Sequence, residues 1–315
     1  MTDIAIVGAG VMGANHARVA QGVRDLAVTV VCDPDADRAE AVARNIGAKS
    51  TTDLDEAIAN AEAVILATPS RTHADLGERV LRAGRDLLVE KPLATTVADA
   101  ERLIAAAAAN DRVLMVGHVE RFNPVVAELN ELVDDPIHLE ITRVGPFSNR
   151  LLVDVVLDLM IHDIDLARSI VGSEIVAHQA MTRVVRSDEE DIACALLRFD
   201  NGVVANITSS RVSQNKIRRI VLTQRGNSIV VDLLRQHIEV HRIEHSEYLS
   251  DGGMRYRQSG LVEIPFLSHH GEPLARELQH FAQCVRDRST PMVTGADGLA
   301  ALKVCLAIRD DAITG

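Results

Sequence analysis

Lys91 lies where a lysine could do chemistry, immediately after a short apolar run and before Pro92. The run at residues 87–89 is typical of a strand that is covered on both faces. Pro92 ends such a strand and keeps the preceding residue extended. We therefore predict that Glu90 and Lys91 emerge at the carboxyl edge of a sheet, where open α/β sheets bind their ligands. A surface Glu–Lys pair before a turn is the alternative.

Asp158 and His162 form a second candidate pair, within a strongly apolar run at residues 151–167 that predicts a helix. A spacing of four residues places both side chains on one helix face. Asp154 shares that face, whereas Asp163 does not. A carboxylate one turn from an imidazole can orient the ring and favour its charged form, which suits a general base. An ion pair on the helix surface is the alternative.

A glycine-rich stretch, GAGVMG at residues 8–13, follows a predicted strand at residues 3–7 and precedes a predicted helix at residues 14–21. This is the G-x-G-x-x-G pattern in the strand–turn–helix setting that dinucleotide binding requires. The three glycines provide a tight turn, a close backbone approach to a pyrophosphate and close helix packing. The helix N-terminus supplies amide donors for the phosphates. The stretch therefore predicts a dinucleotide site.

Asp33 follows the next predicted strand, at residues 28–31, at the spacing expected of an acid that binds the adenosine ribose. Such an acid accepts hydrogen bonds from the ribose hydroxyls and repels a 2′-phosphate. NAD is therefore favoured as the cofactor. Arg38, a few residues later, keeps NADP as the alternative.

Strand and helix patterns alternate through the first 120 residues. Further helical patterns cover residues 38–46, 55–60, 75–83 and 97–110, and further buried strands cover residues 63–67, 87–89 and 113–116. Such βαβ units predict one doubly wound parallel sheet, a Rossmann-type α/β domain.

From residue 173 onward the pattern changes to consecutive strands joined by turns such as Asp200-Asn-Gly202, which is typical of hairpins. Strand patterns cover residues 137–144, 175–185, 192–199, 203–210, 217–223, 228–234 and 237–243. They predict an α+β domain on a largely antiparallel, open-faced sheet. Helical patterns follow at residues 272–286 and 295–309, and the polar, aperiodic residues 246–260 predict either a lid over the site or a long connection.

We accordingly predict three segments. Residues 1–120 form the dinucleotide domain, residues 121–294 form a domain for substrate binding and oligomerisation, and residues 295–315 form a helix that packs back on the first domain.

Four motifs follow one another along the chain. They are the stretch at residues 8–13, Ala67-Thr-Pro69 with His73, Glu90-Lys-Pro92, and Gly117-His-x-x-Arg-Phe-x-Pro124. In order and spacing, and over essentially the whole chain, they resemble the Gfo/Idh/MocA oxidoreductase family. The run at residues 151–167 matches the D-x-x-x-H motif of this family. That run and residues 119–124 are most similar to the branch that oxidises UDP-N-acetylglucosamine at C3.

The resemblance implies a catalytic set of Lys91, Asp158 and His162. It implies nicotinamide dinucleotide contacts from residues at the sheet edge: Gly8, Gly10, Val11, Met12, Gly13, Asp33, Thr68, Pro69, His73, Glu90 and Lys91. The candidate substrate-binding residues are Arg121, Asn123, Arg143 and His162. A structural salt bridge is the alternative for each of the two arginines.

The implied reaction is the oxidation of a secondary hydroxyl in a sugar, a nucleotide sugar or a cyclitol. Hydride leaves the carbinol carbon for the nicotinamide while a base takes the hydroxyl proton. His162 is the predicted base, Asp158 orients it, and Lys91 stabilises the developing alkoxide. An NAD-dependent glycosidase that works by transient oxidation and a non-catalytic dinucleotide-sensing regulator are the alternatives.

Composition bounds the remaining possibilities. The 315 residues are 47% hydrophobic and 25% charged, which suits a sizeable core and two domains. A net charge of −12 and a pI near 5.4 oppose nucleic acid or an anionic membrane as the main partner. Without an apolar run of spanning length or a visible export signal, we predict a cytoplasmic protein.

The cysteines and the second sheet complete the sequence-based expectations. Cys32, Cys194, Cys284 and Cys305 lack C-x-x-C spacing and lie in apolar patterns, so we expect free, buried thiols and no metal site. A sheet with one uncovered apolar face seldom stays monomeric, so we expect a homodimer or homotetramer.

Overall fold

The computed structural model describes residues 1–147, 153–250, 253–267 and 271–314. The α-helices are α1 (Val11–Ala20), α2 (Ala36–Ile46), α3 (Leu54–Ala59), α4 (His73–Arg82), α5 (Val97–Ala109), α6 (Pro124–Leu132), α7 (Ile161–Val171), α8 (Pro273–Asp287) and α9 (Gly295–Asp311). The strands are β1 (Thr2–Val7), β2 (Leu26–Cys32), β3 (Lys49–Thr51), β4 (Ala63–Leu66), β5 (Asp86–Glu90), β6 (Leu114–Gly117), β7 (Pro136–Val144), β8 (Ile175–Arg183), β9 (Ile192–Phe199), β10 (Val204–Ser210), β11 (Ile217–Gln224), β12 (Asn227–Asp232), β13 (His237–Ser250), β14 (Gly253–Glu263) and β15 (Ile313–Thr314). None of these described helices combines the length and apolar composition needed to cross a membrane.

The chain divides into two compact units. The first comprises Met1–Phe122 and Gly271–Lys303, and the second comprises Asn123–His270 and Val304–Gly315. We predicted boundaries after residues 120 and 294, but α8 groups with the first unit because it contacts α1, β1 and β2. Helix α9 contributes to both units, and only its residues up to Lys303 group with the first.

The first unit is built on a parallel sheet. Within the described ranges this sheet has six strands in the order β3-β2-β1-β4-β5-β6. All residues of β4 and β5 are buried, as expected for Val, Ile and Leu runs covered on both faces. The predicted doubly wound domain is confirmed, with its topological switch between β1 and β4. Ligands bind outside the carboxyl ends of the strands at such a switch.

The second unit is built on a largely antiparallel sheet, as predicted. In the part of the chain that the structure describes, its nine strands follow the order β14-β13-β12-β11-β7-β10-β9-β8-β15. Two neighbouring pairs, β7 with β10 and β8 with β15, are parallel. Burial alternates along β9, where Ala193, Ala195 and Leu197 are buried and Leu196 is 54% exposed. The sheet therefore has a covered face and an open face.

Two expectations from the sequence are wrong. Residues 246–250 and 253–260 do not form a loop, because they belong to β13 and β14, which pair as long antiparallel strands. The residues of β14 from Met254 to Val262 are exposed, and a strand that is exposed on both faces lacks the alternation by which strands are predicted. Among the cysteines, Cys194 is exposed on the open sheet face, whereas Cys32, Cys284 and Cys305 are buried.

Candidate active site

The glycine-rich loop after β1 is shaped by close backbone contacts. Gly8 has a φ of +97°, and an added Cβ there would lie 2.5 Å from the carbonyl oxygen of Ala67. An added Cβ at Gly13 would lie 1.8 Å from the carbonyl oxygen of Gly8. Neither position tolerates a side chain, so both glycines are required by the protein itself.

Gly10 differs from its two neighbours in the motif. An added Cβ there would meet no heavy atom of the described chain within 4 Å. Gly10 is the N-cap of α1, and among the described residues no side chain caps this helix and no acidic residue lies in its first turn. Exposed amides at a helix N-terminus beside open space are a ready-made site for an anion. The arrangement fits the pyrophosphate of a dinucleotide.

Asp33 holds this loop in place, a role that the sequence reasoning missed. The carboxylate is 4% exposed, and its Oδ2 accepts a hydrogen bond of 2.8 Å from the amide of Ala9. Its Oδ1 accepts one of 3.0 Å from the amide of Asp35. Arg38 lies 3.7 Å from Asp33 Oδ1 and donates to Asp35 Oδ2 at 2.9 Å. Because two carboxylates already pair with Arg38, the site favours NAD over NADP, whose adenosine ribose carries an additional 2′-phosphate.

Glu90 and Lys91 emerge at the carboxyl end of β5, as the sequence predicts. The Glu90 carboxylate is buried, with Oε1 at 2.7 Å from Nε2 of the fully buried His16. Burial acts to raise the pKa of Glu90, but the hydrogen bond from His16 and the positive charges nearby lower it overall. An added Cβ at Gly117, which pairs with Glu90 across the sheet, would lie 3.2 Å from Glu90 Oε2. Gly117 therefore leaves the space that the carboxylate fills.

His73 links the ends of two neighbouring strands. Its ring is 1% exposed, with Nδ1 at 2.8 Å from the carbonyl oxygen of Pro92 and Nε2 at 2.9 Å from that of Thr68. Burial lowers the pKa of His73, although both hydrogen bonds act in the opposite direction. A neutral ring has one N–H and donates to one carbonyl at a time. His73 thus lies between the segment after β4 and the segment that carries Lys91, and in either tautomer it donates to the carbonyl of one of them. Its contact with the cofactor stays a prediction.

Glu277 on α8 is another buried acid in this unit, and no sequence pattern points to it. Its side chain is 0% exposed, and neither carboxyl oxygen has a hydrogen-bond partner among the described residues. Burial, together with the negative charge of Glu90, raises the pKa of Glu277 well above 4.5. Glu277 is therefore a neutral acid over part of the pH range in which Glu90 is ionised.

This raised pKa makes a prediction for Glu277→Gln. The protonated form of Glu277 is favoured in the folded state, and its contribution to stability is fully present when the pH is below 4.5, the ordinary pKa of a glutamate. This contribution is lost as the pH rises towards the folded-state pKa. Each pH unit in that window is worth up to about 1.4 kcal/mol. Glutamine cannot ionise, so the melting temperature of the variant should rise relative to the wild type as the pH increases. Thermal unfolding of both proteins across this window measures the difference, and parallel curves would contradict it.

Asp158 and His162 lie at a junction of two helix types in the second unit. Residues 151 and 152 of the predicted helix lie outside the described residues. Val156–Met160 forms a π-helical turn that contains Asp158, and His162 is the second residue of α7. Both side chains are half-buried. A π turn closes on the fifth residue, so a four-residue spacing no longer defines one face. The contact between Asp158 and His162 therefore stays a prediction.

Asp154 does not share the helix face that we predicted for it. It precedes the helical residues, and its Oδ1 accepts hydrogen bonds of 2.9 Å from the amides of Val156 and Leu157. Aspartate is a preferred residue at this position because it satisfies amides that have no partner within the helix. Asp154 therefore caps the start of the helical segment that follows it.

The candidate substrate residues have structural contacts of their own. Arg143 is 3% exposed, and its Nε lies 2.8 and 3.0 Å from the carboxylate oxygens of the fully buried Asp163. Asn123 is 2% exposed, caps α6 and donates to the carbonyl oxygen of Leu233 at 3.1 Å. Arg121 donates to the carbonyl oxygen of Met292 at 3.3 Å. The salt-bridge alternative is thus observed for Arg143, and the substrate contacts remain predictions.

Comparison with known proteins places these features in a family. Residues 2–118 match the oxidoreductase family domain described as an NAD-binding Rossmann fold, and residues 154–314 match the C-terminal alpha/beta domain of the same family. UDP-N-acetylglucosamine 3-dehydrogenase from Acidithiobacillus ferrooxidans is 30% identical over 96% of this chain and 95% of its own length. Its crystal structure superposes with a TM-score of 0.88 over 99% of this chain and 97% of that one. The NAD(+)-dependent scyllo-inositol 2-dehydrogenase from Bacillus subtilis is 29% identical over 96% of this chain and 92% of its own.

Both domain matches and a relative of nearly equal length agree with the geometry of the dinucleotide loop. The chain therefore belongs to the Gfo/Idh/MocA family of oxidoreductases, with NAD as its cofactor.

Proposed function

We propose that this protein oxidises a secondary hydroxyl of a sugar, a nucleotide sugar or a cyclitol with NAD. The observation that supports this most is the position of Lys91, directly after β5 at the same sheet edge as the glycine-rich loop after β1. A cation at that edge can act on an oxygen beside a bound nicotinamide. The two relatives described above are dehydrogenases of a nucleotide sugar and of a cyclitol.

The chain's own residues have distinct tasks in this proposal. The amides of the loop and of α1 hold the pyrophosphate, and Asp33 binds the adenosine ribose. When bound, NAD supplies the acceptor for the hydride that leaves the carbinol carbon. His162 takes the hydroxyl proton, and Asp158 favours the imidazolium that results. Lys91 donates a hydrogen bond to the same oxygen and favours its anionic form.

An activity panel tests the proposal directly. Nucleotide sugars, with UDP-N-acetylglucosamine first, free sugars and cyclitols are incubated with NAD and followed at the NADH absorbance. A dehydrogenase accumulates NADH, whereas a glycosidase that works by transient oxidation releases cleaved sugar without it. Binding of NAD with no turnover of any substrate would favour a dinucleotide-sensing regulator.

The cofactor preference makes a prediction for Asp33. NAD should bind more tightly than NADP, because the Asp33 carboxylate faces the position of the 2′-phosphate. Asp33→Ser should narrow the difference between the two dissociation constants by removing that charge. The same substitution should also weaken the binding of both cofactors somewhat, since the amide of Ala9 in the glycine-rich loop loses its acceptor. Calorimetry with both cofactors measures this, and tighter binding of NADP by the wild type would contradict the assignment.

The open face of the second sheet supports a homo-oligomer. Met181 and Leu196 are 64% and 54% exposed on neighbouring strands of this face, and Val204 is 43% exposed. Contiguous apolar side chains on an uncovered sheet favour association with a second copy. Light scattering at micromolar concentrations should show a dimer or tetramer, and Leu196→Glu should shift the population towards monomer. A wild-type protein that is monomeric throughout this range would exclude the interface.

A further inference from the structure

Asp191 closes the loop between β8 and β9. Its side chain is 0% exposed, and Oδ2 accepts hydrogen bonds from three consecutive amides. The donors are Val185 at 2.8 Å, Arg186 at 2.5 Å and Ser187 at 3.1 Å. Burial alone would raise the pKa of Asp191, but the hydrogen bonds from Arg186, Arg211 and Ser187 hold it far below its usual range. The carboxylate is therefore charged near neutral pH.

Arg211 connects this loop to the segment that carries Asp158. Its side chain is 3% exposed, and Nε donates to Asp191 Oδ1 at 2.8 Å. Nη2 donates to Ser187 Oγ at 3.0 Å, and Nη1 donates to the carbonyl oxygen of Val153 at 2.6 Å. The rigid guanidinium fork thus binds three groups at once, a geometry that lysine cannot reproduce.

A second link joins the same loop to the same segment. The amide of Val155 donates to the carbonyl oxygen of Glu190 at 3.0 Å. Asp154, between the two linked residues, caps the amides of Val156 and Leu157. All three residues before the π-helical turn are therefore held by hydrogen bonds: Val153 by Arg211, Asp154 by the amides that it caps, and Val155 by the loop that Asp191 closes.

We infer that Asp191 and Arg211 are positioning residues, which fix the start of the π-helical turn and so place Asp158 and His162 for proton transfer. The inference rests on the proposed function of those two residues. A loop aspartate could close its own loop through the three amides alone. The buried arginine adds the direct contact with Val153. A π turn is uncommon and is often found at functional sites, and it needs surroundings that hold it against the regular α-helix.

Asp191→Asn and Arg211→Lys test this inference. Asp191→Asn removes the charge that holds Arg211, and Arg211→Lys keeps a charge but loses the fork that reaches Val153. We expect each to lower kcat about 10²-fold, the effect expected of a misplacement near 1 Å. The dissociation constant of NAD should not change, because the glycine-rich loop and Asp33 belong to the first unit. Arg211→Lys is the milder change, so it still reports on kcat if Asp191→Asn fails to fold.

Gln224→Leu is the matched control. Gln224 is a buried polar residue of the same sheet, and it holds the end of α6 by accepting from the amide of Asp134 at 2.9 Å and donating to the carbonyl oxygen of Leu132 at 3.0 Å. Gln224→Leu should lower the melting temperature but leave kcat of the folded protein unchanged. If the two positioning variants behave like this control, with lower stability and normal kcat, the inference is wrong.

A double-mutant cycle separates positioning from general loss of structure. If Asp191 acts through Asp158, the effects of Asp191→Asn and Asp158→Asn on kcat should combine to less than their product, because each variant removes part of one arrangement. Effects that multiply fully would overturn the inference. Normal activity of His162→Ala would instead contradict the proposed catalytic set, so the two failures are distinguishable.

Discussion

Replacing His162 by alanine should lower kcat about 10²–10⁴-fold with substrate and NAD saturating, which is the usual contribution of a general base. Oxidation of an alcohol near neutral pH requires a base of matching pKa, and histidine provides one with little adjustment. The binding of NAD should be unchanged, because Asp33 and the glycine-rich loop lie in the first unit and His162 lies in the second. Steady-state kinetics and NAD calorimetry measure the two quantities separately.

Two further variants distinguish the catalytic contributions of Lys91 and Asp158. Lys91→Ala should lower kcat by a similar factor, because the developing alkoxide loses its cation. Asp158→Asn should cost less if Asp158 only orients His162. Near-normal turnover of His162→Ala at saturating substrate would exclude His162 as the base and leave Lys91 as the remaining candidate.

The parts of the site that the sequence predicts are those encoded by local pattern. The glycine stretch, the strand before it and the helix after it lie within twenty residues, so their geometry follows from short-range chemistry. The position of Lys91 follows from a short apolar run and one proline. Parallel strands bring their carboxyl ends to one edge of the sheet, so the sequence also predicts that Lys91 and the glycine-rich loop lie at the same sheet edge.

The parts that the sequence does not predict depend on contacts between distant residues. His16 meets Glu90 across 74 positions, and Arg211 reaches the carbonyl of Val153 across 58. Periodicity reports burial but not which buried polar groups meet, so neither Glu277 nor Asp191 could be assigned a role.

The π-helical turn is hidden from the sequence for a related reason. The apolar pattern around Asp158 is compatible with an ordinary α-helix. The structure instead has a π-helical turn there, and the amide of Val155, just before the turn, donates to the carbonyl oxygen of Glu190 in another loop. Tertiary contacts commonly override a local preference in this way.

Gly10→Ala and Gly13→Ala separate what the cofactor requires from what the fold requires. Gly13→Ala places a methyl group 1.8 Å from the carbonyl oxygen of Gly8, so the backbone of the loop must move. We expect the free energy of unfolding to fall by about 3 kcal/mol or more. The loss occurs although alanine favours a helix interior over glycine by about 1 kcal/mol. NAD binding should be lost as well, because the loop that binds the pyrophosphate is displaced.

Gly10→Ala should have the opposite balance. Its methyl group meets no heavy atom of the described chain within 4 Å, so the free energy of unfolding should change by less than about 1 kcal/mol, the size of an N-cap effect. The same methyl group occupies the space in which the pyrophosphate approaches the backbone. An overpacked contact costs about 1–3 kcal/mol, so the dissociation constant of NAD should rise about 10–100-fold. Chemical denaturation and calorimetry on both variants decide the matter. If Gly10→Ala bound NAD normally, the open space beside α1 would not be the pyrophosphate site.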